Sequence, residues 1–517
     1  MGGRVAALLA STLLGCQVGG RDVPIGSDVQ SVFYVSPEGD DLNPGTQARP
    51  WRSLQHATEQ LKAGQTLLLA DGEYRPETTG LLGVDCNGAP RRGRPGLPIT
   101  VRAEHERGAV LRGDGATVPV ELWNCSDYVI EGLVVLSDHN PDVPKGVDVG
   151  TVAMLHGGHD LTLRRMIFMR PNRERHSHVL RVLEAERVLV EECETYDFYH
   201  NAFEAVRTRD VVFRRNYFHS RWATSSGNTV GADDMTRGEV AIQIEESQSA
   251  LVENNVAEVV CTGFSVVGRA IGSSYTNPTP YPVGSGARLY GNLARDALRE
   301  GFRVETRCDA ANPCDLPERI VADTLIVNGV ALQAGTGFSV DAAPGTRVDN
   351  VTAVDVQNGL RIKRDGPNAA REFSASAARA LVRGFTGVAF WAAGTNEWSF
   401  EHCAAQAPAN EAVDFSPHDD NVLLPVTAPA DDSCVAYLGP TSPLRGAAGV
   451  EGDVGANVLD RYVGGVLTEE PLWQPETGMF PCGAIVPGIN DDPTQSCIGV
   501  HERLRIGTAG CALPNAP

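Results

Sequence analysis

The sequence predicts an all-β chain wound as a right-handed parallel β-helix (a β-solenoid), with a short helical cap at the N-terminal end and an irregular cap at the C-terminal end. Three observations predict it. A period-two unit recurs through the middle of the chain, a small residue precedes each unit, and asparagines return at one equivalent position. The unit reads small, apolar, any, apolar, any. It occurs as Ala202-Phe203-Glu204-Ala205-Val206, with further copies starting at Ala241, Gly263, Gly301, Gly337, Gly359, Gly387 and Ala412. Such alternation marks a strand with one buried face. A Gly or Ala ahead of it marks a corner with no room for a side chain. The steps between the small residues are 39, 22, 38, 36, 22, 28 and 25. The shortest fits one coil of a triangular solenoid, and the longer ones add loops at corners. A propeller blade would need four strands per repeat, and a helical repeat a different period. Second short segments begin near Leu161, Val188, Val211, Ala250 and Ala287, and several lead to Asn216, Asn255 and Asn292. Asparagines stacked at a bend can hydrogen-bond along the column.

The elements follow in order. Residues 1–16 read as an export signal: Arg4 is the lone positive charge, and the apolar run 5–14 is too short to span a bilayer. The run ends in Leu13-Leu14-Gly15-Cys16, which resembles the lipobox of bacterial lipoproteins, where the cysteine is acylated. Residues 17–31 read as a flexible tether. Residues 32–76 form the N-terminal cap and first coil. There Ser53 can cap a short helix with Leu54, Ala57 and Leu61 on one face, ended by Gly64, and residues 65–74 give the first strand. Residues 77–430 carry the coils, and residues 431–517 the C-terminal cap and tail. Removing Cys16 from the twelve cysteines leaves eleven, so at least one stands outside any intramolecular pair. Cys308–Cys314 and Cys482–Cys497 fit local loops of an exported chain.

Composition narrows the partners. Lys and Arg total 44 against 65 Asp and Glu, a net charge of -21, which argues against a nucleic-acid partner. The lysines are Lys62, Lys145 and Lys363.

Both caps carry a resemblance. The run Tyr34-Val35-Ser36-Pro37, Gly39, Asn43-Pro44-Gly45-Thr46, Pro50-Trp51, Asp71-Gly72 and Tyr74 resembles the opening of bacterial right-handed β-helix proteins of the pectate-lyase-like superfamily, including those similar to family 9 polysaccharide lyases. Gly452-Asp453-Val454-Gly455-Ala456-Asn457, Arg461-Tyr462 and Pro471-Leu472-Trp473 resemble their ends. The resemblance implies the fold and a carbohydrate substrate.

Stacked coils turn outward residues into columns. One reads Glu204, Gln243, Ser265, Arg303, Ser339, Arg361, Ala389 and Asp414, with Arg181 upstream. The next reads Val206, Glu245, Val267, Glu305, Asp341, Lys363, Trp391 and Ser416. Carboxylates one coil apart repel, which raises a pKa or invites a cation such as Ca²⁺; Glu245, Glu305 and Asp341 are the candidate ligands. The resemblance implies Ca²⁺-assisted β-elimination with a Lys or Arg base. Lys363, Arg303 and Arg361 are the candidate catalytic residues. Arg361-Ile362-Lys363 also resembles a tripeptide of polygalacturonase-type hydrolases. Their other motifs are missing, and the carboxylate pair Asp233-Asp234 lies in a loop.

A second cluster comprises Arg170, Arg173, Arg175, His176, His178 and Arg181, followed by His200, Asn201 and Glu204. Arg181, His200, Glu204 and Gln243 are the candidate substrate-binding residues. Insertions 137–151, 219–239 and 268–286 would wall a groove, with Trp222, Tyr275 and Tyr281 to stack on sugars. The expectation is an exported monomer, lipid-anchored to the outer membrane or cell surface, that cleaves an acidic polysaccharide as a lyase, with hydrolase or epimerase activity less favoured. The alternative is a non-catalytic glycan-binding or structural protein.

Overall fold

Each turn of the chain lays down three short strands, and each strand pairs in parallel with its equivalent one coil away. A computed structural model describes residues 31–471 apart from positions 89–90, 141, 143–150, 170–176, 197, 199, 220–237, 270–284, 308–320, 364–373, 393–397, 407–420, 425–437, 440–441 and 459. The architecture is a right-handed parallel β-helix with three faces. The third face is a 13-stranded sheet running from Val32–Val35 to Trp398–Glu401. The other two faces form one 21-stranded sheet. They join because Val256–Arg269, Leu293–Arg307 and Val330–Asp341 pass from the second face to the first as continuous strands.

The corner inside those strands explains the small residues. A Cβ on Gly301 would lie 2.7 Å from Ala331 Cβ and 2.8 Å from the Gly337 carbonyl oxygen. Val179, Ala202, Ala241, Gly263, Gly301, Gly337 and Gly359 stack there. The next member is Ala389, not Gly387, because Leu360 pairs with Phe390. The residue after each small one points inward. Phe264, Phe302 and Phe338 stack in consecutive coils at 5.1 and 4.7 Å, each burial contributing roughly 1.5–3 kcal/mol.

The turn from the third face to the second puts one residue per coil in the left-handed region: Arg165, Glu192, Arg215, Asn254, Asn328, Asn350, Arg379 and His402. The next residue faces inward and builds the asparagine column. The Asn216 backbone N–H and side-chain amide donate to Asn255 Oδ1 at 2.9 and 3.0 Å, and those of Asn255 donate likewise to Asn292 Oδ1. Cys193 stands below Asn216, where burial pushes its thiol up to about 12.

At the N-terminal end Ser53 Oγ accepts from the His56 N–H and caps the helix Leu54–Gln60, which buries Leu54 and Ala57. The helix ends at Gln60, ahead of Gly64. The expected first strand is two, Thr66–Leu69 and Gly72–Tyr74, on different faces. A disulfide joins Cys86 to Cys125, whose strands lie on adjacent coils. Cys308, Cys314, Cys482 and Cys497 lie outside the described residues.

The C-terminal segment retraces the solenoid. Leu444, Ala448 and Val454 pack on Leu381 and Ala404 of the second face. The Gly455 N–H then donates to Arg379 O, Ala456 N–H to Thr352 Oγ1 and Asn457 N–H to Asn328 Oδ1. Tyr462 stacks on Tyr290 at 5.1 Å, accepts from Asn328 Nδ2 and donates its N–H to Asn254. Gly464 and Gly465 end the run on the Glu253 carboxylate.

Candidate functional site

Outward positions of the first face form the expected columns. Arg181, Glu204, Gln243, Ser265, Arg303, Ser339 and Arg361 stand in register on successive coils. The next member is Trp391 rather than Ala389; Asp414 and Ser416 lie outside the described residues. The neighbouring column is Val206, Glu245, Val267, Glu305, Asp341 and Lys363.

The two ends of this face differ in access. At the early end Glu204 is enclosed. It receives Arg181 Nε at 2.9 Å, His178 Nδ1 at 3.4 Å, Asn201 Nδ2 at 2.9 Å and Gln243 Nε2 at 3.1 Å. Gln243 also donates to Glu245 at 2.9 Å. His178 meets His200 edge to face at 4.9 Å, and His200 Nε2 lies 3.2 Å from Glu239. Arg181, Glu204, Gln243 and Glu245 are buried. A carboxylate so enclosed fixes register: Asn201 and Gln243 donate to its Oε1, while its Oε2 meets Arg181 and His178 as ion-pair contacts only. Arg170, Arg173, Arg175, His176, Trp222, Asp233, Asp234, Tyr275 and Tyr281 lie outside the described residues.

At the later end the side chains reach solvent. Lys363 Nζ lies 2.9 Å from Asp341 Oδ2. Glu305 meets Arg307 at 3.0 Å and Arg303 at 3.5 Å. Arg303 also donates to Ser265 Oγ at 3.1 Å, and burial holds its guanidinium below the ordinary range, with Arg307 adding to that shift. Arg361 has no charged partner among the described residues, and its Nε is buried without a hydrogen bond. On the next coil stands Trp391. A guanidinium beside an indole, one coil of roughly 4.8 Å away, offers a fork for a carboxylate next to a platform for a sugar ring.

Of the three carboxylates expected to hold Ca²⁺, Glu305 and Asp341 stand on adjacent coils. Glu245 stands two coils from Glu305 with Val267 between them. Glu305 is met by arginines and Asp341 by Lys363. No group of three His, Cys, Asp or Glu side chains that could hold a metal is found among the described residues. No chemical step is assigned to a metal.

A cluster on the second face escaped sequence reasoning. Tyr196 donates to Glu194, whose carboxylate also lies 3.4 Å from His219 Nε2 and 3.8 Å from Arg107. Tyr217 donates to Glu258 at 2.6 Å, with Arg295 3.5 Å from the same carboxylate. His219 stacks on Tyr217 at 4.7 Å. The signal for it is positional. Counting one and three residues past Cys193, Asn216, Asn255 and Asn292 gives Glu194 and Tyr196, Tyr217 and His219, Glu258, and Arg295.

No family model matches the chain. It is 32% identical over 109 residues to the uncharacterised protein YwoF of Bacillus subtilis, covering 20% of this chain and 21% of that one. It is 28% identical over 107 residues to pectate lyase PEL9 of Emericella nidulans, covering 20% of this chain and 24% of that one. The matches thus span about a quarter or less of either relative's length. Among solved structures, pectate lyase Pel9A aligns at a TM-score of 0.36 and 16% identity, covering 60% of this chain and 78% of that one.

Proposed function

We propose that the chain acts on an acidic polysaccharide, as a lyase, at the later coils of the first face. The observation that carries this reading is Arg361, a cation without a carboxylate partner among the described residues, set between Ser339 and Trp391 and beside the Lys363–Asp341 pair. Its guanidinium would hold a uronate carboxylate, which acidifies the adjoining C–H. Lys363 would take that proton, the bond to the leaving sugar oxygen would break to leave an unsaturated uronate, and the departing oxygen would take up a proton from solvent water. Lys363 Nζ is held 2.9 Å from Asp341 Oδ2, so this pair must open before the amine can reach the C–H. The local likeness to a pectate lyase supports this class of substrate. Export, anchoring through Cys16 and a monomeric state complete the proposal; Cys16 lies outside the described residues, and no helix among those described is long and apolar enough to cross a membrane.

The test is incubation with polygalacturonate, alginate and glycosaminoglycans, with and without Ca²⁺, reading the ultraviolet absorbance of the unsaturated product. Arg361→Ala and Lys363→Ala should each reduce the rate by about 100-fold or more. A second reading, glycan binding without cleavage, is favoured by the ion pairing of Glu305 and Asp341. It predicts saturable retention of the same polymers with no absorbance change.

A further inference from the structure

The turn after Asp341 leads around the corner to a separate cavity of about 460 Å³. Gly345, Thr346, Ser374, Ser376, Trp398 and Ser399 line it at the starts of three third-face strands. Thr346 pairs with Ala375, and Ala375 with Trp398, so three consecutive coils contribute. The described lining contains hydroxyls, one indole and no ionisable group. Arg347, the next residue, turns instead to Asp349 at 2.8 Å.

Two features point to a ligand. Thr346 is 1% exposed, yet its hydroxyl has no hydrogen-bond partner among the described residues. A buried hydroxyl without a partner is costly, and a ligand hydroxyl would satisfy it. Trp398 is partly exposed and is held against the core beside Phe400, at 5.5 Å between ring centres. An immobilised indole offers a flat apolar surface to the C–H face of a sugar ring, while serine and threonine hydroxyls exchange hydrogen bonds with its rim. The volume lies within the range of small-molecule sites.

We propose that this cavity binds an uncharged hexose unit, stacked on Trp398 and hydrogen-bonded to Thr346. It uses none of the residues assigned to the charged face, so it stands or falls apart from the lyase reading. It would add a neutral-sugar subsite close to the Asp341–Lys363 end of that face.

The experiment titrates the full exported chain with galactose, glucose and a neutral galacto-oligosaccharide, with galacturonate as the charged comparator, by calorimetry or saturation-transfer NMR. Saturable binding of a neutral sugar is expected. Trp398→Ala should weaken it by about tenfold or more, and Thr346→Val, which keeps the shape and removes the hydroxyl, by about fivefold. Arg361→Ala should leave it unchanged. Circular dichroism checks that each variant folds; should Trp398→Ala fail that check, Thr346→Val and Trp398→Phe carry the test. The proposal is overturned if no neutral sugar binds saturably, if the folded variants bind as the parent does, or if galacturonate binds as well as the neutral sugars.

Discussion

Single residues in this chain act through their counterparts one coil away. Asn255 shows this best. Its amide donates to Phe213 O at 2.8 Å and to Asn292 Oδ1, and its oxygen accepts from Asn216. Asn255→Ala would leave partners on both neighbouring coils unmet in a buried column, and should cost roughly 2–4 kcal/mol in denaturant unfolding. This column was legible, because asparagine at a repeating position has few other uses. The left-handed residues beside it were not. Arg165, Glu192 and Arg215 hold φ near 50°, and nothing in an Arg or Glu announces that conformation. The pairing of Cys86 with Cys125 was equally hidden, since it follows from coil adjacency across a separation of 39 residues.

At the scale of the element, the corner decides which substitutions a strand tolerates. Gly301→Ala should destabilise by about 1–3 kcal/mol, because the added methyl meets both Ala331 and the Gly337 carbonyl; thermal unfolding of the variant measures it. The same corner shows why one register was misread. A period-two pattern is unchanged by a slip of two, so Gly387 and Ala389 serve equally well on paper. Only the core position of Phe390 separates them, and the slip carried Trp391 into the wrong column. The charged columns through Lys363 were legible because alternation fixes which side chains face outward. Their burial was not, since it depends on what lies over each coil. The third face carries a further pattern, with Arg102, Glu131, Arg164, Glu191, Arg214 and Glu253 alternating in sign along one outward column. Arg214 Nε lies 2.7 Å from Glu191.

Across the described residues, contacts between neighbouring coils dominate, except where the C-terminal segment retraces the solenoid. The Tyr462 N–H bonds Asn254 across 208 residues of sequence. Tyr462→Ala removes the stack on Tyr290 and the contact with Asn328, and should cost about 3–5 kcal/mol. Hydrogen exchange should localise that loss to the coils containing Asn254 and Asn328, leaving the coils around Cys86 and Cys125 protected.

That returning segment also imposes an order on assembly. A solenoid can wind up behind the point of synthesis or secretion, each turn templating the next. The turns around Glu253 nevertheless receive Tyr462, Gly464 and Gly465 only after some two hundred further residues have emerged. Premature truncation would therefore be felt far upstream, as a loosened middle in a chain whose coils are all present.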